Sequence, residues 1–407
     1  MDFTTIQGGV CAPKGFKANG MHCGIRANRT KADLALIVSD EPCSAVAIYT
    51  TNLVKGAPLT VTKQHIADGK AQAIVCNSGN ANTCNANGIE IAESMAALVE
   101  QATGIAANDV IVASTGVIGE PLSLEPIAKG LPVLLEGLSA DGSNAATQAI
   151  MTTDTFAKEY AVTFQLNGKQ IKIGGMAKGS GMICPNMATM LCFITSDAAI
   201  DAKVLQVCLH EAVADTFNIL SIDGDTSTND MLCIMANGLA GNAPVESIDS
   251  EDAAIFTEAL KEVCAQLCRM LAMDGEGASH LLVAAVQGAK DKENARKIAK
   301  SVVNSNLLKC AIFGADANWG RVLCAIGYSG ADTNVDKIGV KFVSAAGEVV
   351  VCANGVGMPF NEEEAKAVLS KKEITITITC GDGDAQATAY GCDMTYDYVK
   401  INGDYRT

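Results

Sequence analysis

The residues best suited to chemistry lie near the middle of the chain, in Lys178-Gly-Ser-Gly-Met-Ile-Cys-Pro-Asn-Met-Ala-Thr-Met-Leu191. Thr189 is the candidate nucleophile. A threonine hydroxyl reacts poorly unless a base removes its proton. The histidines are His22, His65, His210 and His280, and none falls in a serine-hydrolase pattern. A threonine at the start of a chain solves the problem locally, because its own α-amino group titrates near ~8 and can accept the proton. Cleavage of the Ala188–Thr189 bond would create that amine. Small Ala188, with Gly179, Gly181 and Pro185 close upstream, would allow an irregular backbone beside the scissile bond. The residues alone also fit a glycine-rich turn leading into a strand, so both readings stay open at this point. A phosphate cradle fits less well. Such a loop should open a helix, and Met190 to Ile194 is apolar and strand-like.

The elements around this segment alternate between strand and helix. Ala45 to Thr50 and Ala73 to Cys76 read as short buried strands, the second followed by an Asn-rich stretch from Asn77 to Gly88. Ile89 to Gln101 reads as a helix, and Asp109 to Ala113 as a strand ending in Ser114-Thr115-Gly116. A tight turn there could aim backbone N–H groups at an acyl oxygen, with Gly116 permitting close approach. A helix from about Ser143 to Met151 ends in Thr152-Thr153-Asp154-Thr155, a capping or turn cluster. Asn167-Gly168 between Ala161–Leu166 and Lys169–Ile173 predicts a hairpin that delivers the chain to Lys178. Lys178 opens an otherwise uncharged segment and could hold a substrate carboxylate.

After Thr189 a strand to about Thr195 and a helix from Asp201 to Asp215 are expected. The polar run Asp223 to Asp230 offers oxygen ligands for calcium or magnesium. The calcium-loop pattern is incomplete, so a hydrogen-bonded structural loop fits better. Glu251 to Ala272 is the clearest helix and leads into Met273-Asp274-Gly275-Glu276-Gly277, whose turn exposes Glu276. Leu281 to Val286 follows as a strand. Charge concentrates at Gly288 to Glu293, which places a domain junction there: residues 1–290 and 291–407. The second part is expected to hold a helix Ala295–Asn304, a strand Leu307–Phe313, a helix from about Gly320 and a helix Glu362–Leu369. An alternating strand through Ile374, Ile376 and Ile378 comes next, then Ala385 to Tyr390.

Composition narrows the partners. The net charge of −15 argues against nucleic-acid binding. An anionic substrate would need its own local cation. Sixteen cysteines include no Cys-x-x-Cys pair, so neither a zinc site nor a disulfide framework is expected. Cys264 and Cys268 lie one helical turn apart and should pack as small apolar groups. Met1 to Gly20 has no apolar core, and no apolar run of about 18 residues occurs, so neither a secretory leader nor a membrane span is expected. Reduced thiols in a cytoplasmic enzyme fit this pattern.

The Lys178–Leu191 segment resembles the corresponding stretch of the ornithine acetyltransferase family, also called glutamate N-acetyltransferases. In-order matches follow along nearly the whole chain: Cys76–Asn82, Ser114–Gly119, Ala149–Thr155, Asp223–Asp230, Asp274–Ala278, Asn318–Arg321 and Tyr398–Thr407. The resemblance implies a layered α/β/β/α self-processing fold with an N-terminal threonine, plus a smaller C-terminal α/β domain. It implies a cut between Ala188 and Thr189, giving chains 1–188 and 189–407, with two copies of each assembled as a heterotetramer. It assigns Thr189 as nucleophile and Thr115 and Gly116 as the oxyanion hole. It places Thr152, Lys178, Thr189, Glu276, Asn402 and Thr407 around the substrate, with Glu276 able to hold a substrate amino group. The implied reaction moves acetyl from N2-acetyl-L-ornithine to L-glutamate in arginine biosynthesis, releasing ornithine and N-acetylglutamate. No cofactor is implied, although some members also take acetyl from acetyl-CoA. A self-processing amide hydrolase or aminopeptidase is the alternative.

Overall fold

The computed structural model describes residues 3–26, 31–184 and 190–404. Ala188, Thr189 and Thr407 lie outside these described residues. Strand-forming stretches rich in Ile, Val and Ala pair into a first, nine-stranded sheet. Its strands are β1 (Thr4–Ile6), β2 (Phe16–Met21), β3 (Leu34–Tyr49), β4 (Lys70–Asn77), β5 (Val110–Ser114), β6 (Lys158–Leu166), β7 (Lys169–Lys178), β8 (Leu191–Ser196) and β9 (Met231–Ala236). The order is β1-β6-β7-β8-β9-β3-β4-β5, with β2 paired to β3. The Asn167-Gly168 turn has φ of 49° and 72°, the positive pair that a two-residue hairpin favours. It registers β6 on β7 from Lys158↔Ala177 to Leu166↔Lys169.

β3 explains how one sheet makes two layers. Its first half pairs with β2 and β4, and its second half, from Ser44 to Tyr49, pairs with β9. Between Val38 and Cys43 the register shifts, at the polar Ser39-Asp-Glu-Pro42 interruption. A bulge with a proline in it bends a strand and ends local pairing. The two halves of the sheet therefore face each other across a core that includes Ile37, Ile74, Ile111, Met176, Phe193 and Met235.

Helices cover the two outer faces. α1 (Ala57–His65), α2 (Gly88–Thr103) and α3 (Glu125–Glu136) follow in the chain, then α4 (Ser143–Ile150), α5 (Ala202–Ala214) and α6 (Glu251–Met273). α2 and α3 pack over Leu34, Leu36, Val75 and Val112, while α5 and α6 cover Ile171, Ile173, Ile194 and Ile234. The result is the expected α/β/β/α layering. α6 begins at Ser250, whose hydroxyl accepts from Ala253 N at 3.1 Å. It buries Phe256, Leu260, Val263, Leu267 and Leu271, together with Cys264 and Cys268, against the sheet. Burial pushes the Cys264 thiol up to about 12, as suits a small apolar group.

The second sheet has the order β13-β12-β11-β14-β10-β15. Its strands are β10 (Leu281–Ala289), β11 (Gly339–Ser344), β12 (Gly347–Ala353), β13 (Val356–Gly357), β14 (Glu373–Thr379) and β15 (Ala385–Cys392). The elements α7 (Lys292–Val303), α8 (Asn306–Phe313), α9 (Trp319–Gly327) and α10 (Glu362–Leu369) share its core with Ile374, Ile376 and Ile378. α11 (Tyr396–Asp404) closes the described chain. No helix among the described residues is long and apolar enough to cross a membrane.

Two expectations give way. Leu307–Phe313 is helix α8 and not a strand. Ser305 caps it by accepting from Leu308 N, and the run contains Leu, Lys, Cys and Ala, which favour strands less than its single Ile does. The junction also moves. β10 pairs with β14 and β15 inside the second sheet, so that sheet takes in residues from Leu281, ahead of the charged stretch at 290. Sequence patterning marked the loop after the strand, not the start of the new body.

Gly175 on β7 lets α6 sit close, since a Cβ there would lie 3.0 Å from Leu267 Cδ1. Leu267→Ala should therefore destabilise the protein by about 2–5 kcal/mol, read as a fall in the urea midpoint. An unchanged midpoint would show that α6 is not seated there.

Candidate active site

Lys178 is the last residue of β7, and the turn beyond it is fixed by a buried carboxylate. Asp154 Oδ1 accepts from Gly179 N at 2.7 Å, and Asp154 Oδ2 accepts from Thr152 N at 2.9 Å. The same carboxylate takes the fully buried Lys158 ammonium at 2.6 Å, and Lys158 also reaches Asp274 at 2.5 Å. Burial opposes ionisation of Asp154, but the Lys158 and Lys178 cations outweigh it and hold its pKa at about 2. Asp274 in turn accepts from Thr155 N at 3.0 Å. The Thr152–Thr155 cluster, read from sequence as a cap or turn, is thus pinned to the end of α6.

The Lys178 ammonium donates to Thr115 Oγ1 at 3.2 Å and to Thr152 Oγ1 at 3.1 Å. Burial lowers its pKa, while Asp154 and Asp230 pull it back up. Because the Thr115 hydroxyl accepts from lysine, its own hydrogen is free to point elsewhere. The Thr115 N–H is committed, donating to Asn77 O at 2.9 Å. The donors this turn offers an oxyanion are therefore the Thr115 hydroxyl and the Gly116 N–H, and not two backbone groups. Gly116 has φ +126°, and a Cβ there would lie 2.7 Å from the Gly79 carbonyl carbon. Only glycine fits.

The Asn-rich stretch, given no role in sequence, is the frame of this turn. Asn77 Oδ1 accepts from Gly79 N and Asn80 N, at 3.2 and 3.0 Å, and Asn77 Nδ2 donates to Ser114 Oγ at 2.7 Å. From the other side Asn229 donates to Ala81 O at 2.6 Å and Ser114 O at 2.9 Å. Asn77, Asn229 and Asp154 were missed because each ties its own turn to a segment distant in sequence: Asn77 and Asn229 to Ser114, and Asp154 to Gly179. The usable signal was an asparagine at the end of an apolar strand.

Glu276 forms the opposite end. Its N–H donates to Ser180 O at 2.7 Å, and Asn402 Nδ2 donates to its carboxylate at 2.8 Å. Gly181 makes room: a Cβ there would lie 2.3 Å from Glu276 Oε2. Gly277, at φ +69°, lets α11 approach, since a Cβ would meet Tyr398 N at 2.6 Å. Asp223 spends its carboxylate on Met182 N and Ile183 N, at 2.5 and 2.8 Å, which makes 223–230 a structural loop. Asp230, at the end of that loop, borders the same space.

Thr115, Gly116, Thr152, Lys178, Glu276 and Asn402 all line one cavity of about 280 Å³, with Asp230, Met190 and Leu191. Five separated stretches and α11 meet there. The arrangement brings a cation, a carboxylate and hydrogen-bond donors to one cavity.

This layered α/β fold, with a polar cavity at the end of its central strands, defines a small-molecule enzyme. The chain belongs to the ArgJ family, whose model matches residues 17–407. It is 50% identical over 403 residues to the arginine biosynthesis bifunctional protein ArgJ of Caldanaerobacter subterraneus subsp. tengcongensis, covering 99% of both chains. It is 47% identical over 404 residues to the protein of the same name from Symbiobacterium thermophilum, again covering 99% of both. A crystal structure of arginine biosynthesis bifunctional protein argJ from Bacillus halodurans is 43% identical, covers 52% of this chain and 98% of its own, and gives a TM-score of 0.49.

The Asp154 ion cluster gives a pH prediction. The folded pKa near 2 lies below the unfolded ~3.9, so its stabilisation is complete above pH ~4 and fades as pH falls toward 2. Lys158→Met should cost about 3–5 kcal/mol at neutral pH by stranding two carboxylates. The Asp154 pKa would then rise, so the variant should gain melting temperature on acidification from pH ~7 to ~5. A parallel pH profile for variant and wild type would rule out the cluster.

Proposed function

We propose that the chain is a glutamate N-acetyltransferase that moves acetyl from N2-acetyl-L-ornithine to L-glutamate through an acetyl ester on Thr189. Membership of the ArgJ family supports the reaction class. The observation that carries the reading is the meeting of Lys178, Thr115, Gly116, Thr152, Glu276 and Asn402 on one cavity. Both amino acids carry an α-carboxylate, which suits the Lys178 ammonium with the Thr152 hydroxyl. Glu276, braced by Asn402, suits the amino group of ornithine.

In the first half-reaction the Thr189 α-amine takes the hydroxyl proton as Oγ attacks the acetyl carbon. The developing oxyanion receives hydrogen bonds from the Thr115 hydroxyl and Gly116 N–H. The proton passes to the leaving nitrogen, and ornithine departs. Glutamate's amine then attacks the ester by the reverse path. Self-cleavage between Ala188 and Thr189 supplies the amine, and the two resulting chains, two copies of each, make the assembled enzyme. Thr407 contributes to the substrate site. No cofactor is needed for this scheme, and glutamate-dependent release of CoA from acetyl-CoA would add a second acetyl donor. A hydrolase would instead pass acetyl to water, and acetate release without glutamate would reveal it.

Three outcomes test the scheme. Intact-mass measurement should find wild type in two pieces, with an acetyl adduct on the 189–407 piece after N-acetylornithine is added. Thr189→Ala should stay whole and take no acetyl; a whole and active Thr189→Ala would refute the scheme. Thr115→Val removes one oxyanion donor and should lower kcat about 100- to 1000-fold. A normal kcat would remove Thr115 from that role.

A further inference from the structure

Cutting the chain poses a problem that acetyl transfer does not. Before the cut, the nitrogen of Thr189 belongs to an amide and cannot serve as base. Some other group must take the hydroxyl proton. The groups around the cavity are mostly committed. Lys178 donates to two hydroxyls, Asp154 holds Lys158 and two backbone N–H groups, Asp223 holds two more, and Glu276 is braced by Asn402.

Asp230 keeps one oxygen to spare: Ser227 hydrogen-bonds its carboxyl, but not at Oδ2. It lines the cavity and is 2% exposed, and its Oδ2 has no hydrogen-bond partner among the described residues. A buried acceptor without a partner is costly, so it calls for an explanation. Its place is specific. β8 and β9 run parallel with Leu191 opposite Met231, and Met231 N donates to Met190 O at 2.9 Å. Asp230 directly precedes Met231, and Thr189 is the covalent neighbour of Met190. Burial pushes the Asp230 carboxyl well above the ordinary range, against the pull of Ser227 and Lys178, which makes its ionised form a stronger base.

We propose that Asp230 is the proton acceptor for self-cleavage, taking the Thr189 hydroxyl proton as Oγ bonds to the Ala188 carbonyl carbon. The proton then goes to the Thr189 nitrogen as the C–N bond breaks. This leaves Ala188 as an ester on the threonine hydroxyl, beside a free α-amine. Water hydrolyses the ester, releasing a carboxylate at Ala188 and restoring the hydroxyl. One water is consumed and Asp230 is regenerated. The inference rests on the processing reading above.

The test follows cutting of the full chain by mass. Wild type should yield pieces 1–188 and 189–407. Asp230→Asn should melt cooperatively near wild type, yet be cut at least ~100-fold more slowly. It should also stay whole in hydroxylamine, which cleaves esters. Asp230→Glu, which keeps a carboxylate, should recover part of the rate, and it decides the matter if the asparagine variant fails to fold. Cutting of folded Asp230→Asn at the wild-type rate would overturn the proposal. So would its prompt cleavage by hydroxylamine, since the ester would then form without Asp230. A folded Asp230→Glu as inert as Thr189→Ala would overturn it too. A wild-type chain that never cuts would sink the processing reading itself, a result distinct from all of these.

Discussion

A single buried carboxylate sets the geometry on which the site depends. Asp154 binds Lys158, the N–H of Thr152 and the N–H of Gly179 at once. Those contacts fix the exit of β7, the turn after α4 and, through Lys158 and Asp274, the end of α6. A buried ion cluster of this kind is weak evidence for net stability, because desolvation consumes much of the Coulombic gain. Its effect here is positional. Each partner is satisfied only in one arrangement, so the chain just past Lys178 has one direction to take.

The same cluster accounts for the cation in the cavity. The chain carries a net charge of −15, so its long-range field repels an amino-acid carboxylate. Attraction must be local. Burial lowers the Lys178 pKa and would favour the neutral amine, while Asp154 and Asp230 act to keep the proton on. Two threonine hydroxyls then orient the ammonium. A lysine alone at the end of a strand would lack both the charge support and the aim.

How much of this could be read from sequence depended on how local the cause was. The Asn167-Gly168 hairpin, α6 and the alternating β14 are each set by a few adjacent residues, and sequence reading placed them. Thr115, Gly116, Thr152, Lys178, Glu276 and Asn402 were named through family resemblance, and they line one cavity. Their supports were not legible. Asn229 ties down the turn of Ser114, 115 residues away, and Lys158 finds Asp274 at 116. Pairings over such spans leave no periodicity. β3 was only half seen because its bend turns on a polar interruption that looks like a strand end. Leu307–Phe313 was misread because a short apolar run has no period long enough to separate strand from helix.

The support of the central segment comes in part from the second body. Cys184 O accepts from Thr226 Oγ1 at 3.0 Å, and Met190 O accepts from Met231 N at 2.9 Å. One stretch, 222–231, therefore holds the chain on both sides of residues 185–189. That stretch is anchored from the second body by Lys309 of α8, whose buried ammonium donates to Ile222 O at 2.6 Å and Cys392 O at 3.0 Å. Glu276, too, is braced by Asn402 of α11. The two bodies are thus not a catalytic unit with an appendage. The loop carrying Asp223 and Asp230, which borders the cavity, is held in part from the second body through Lys309.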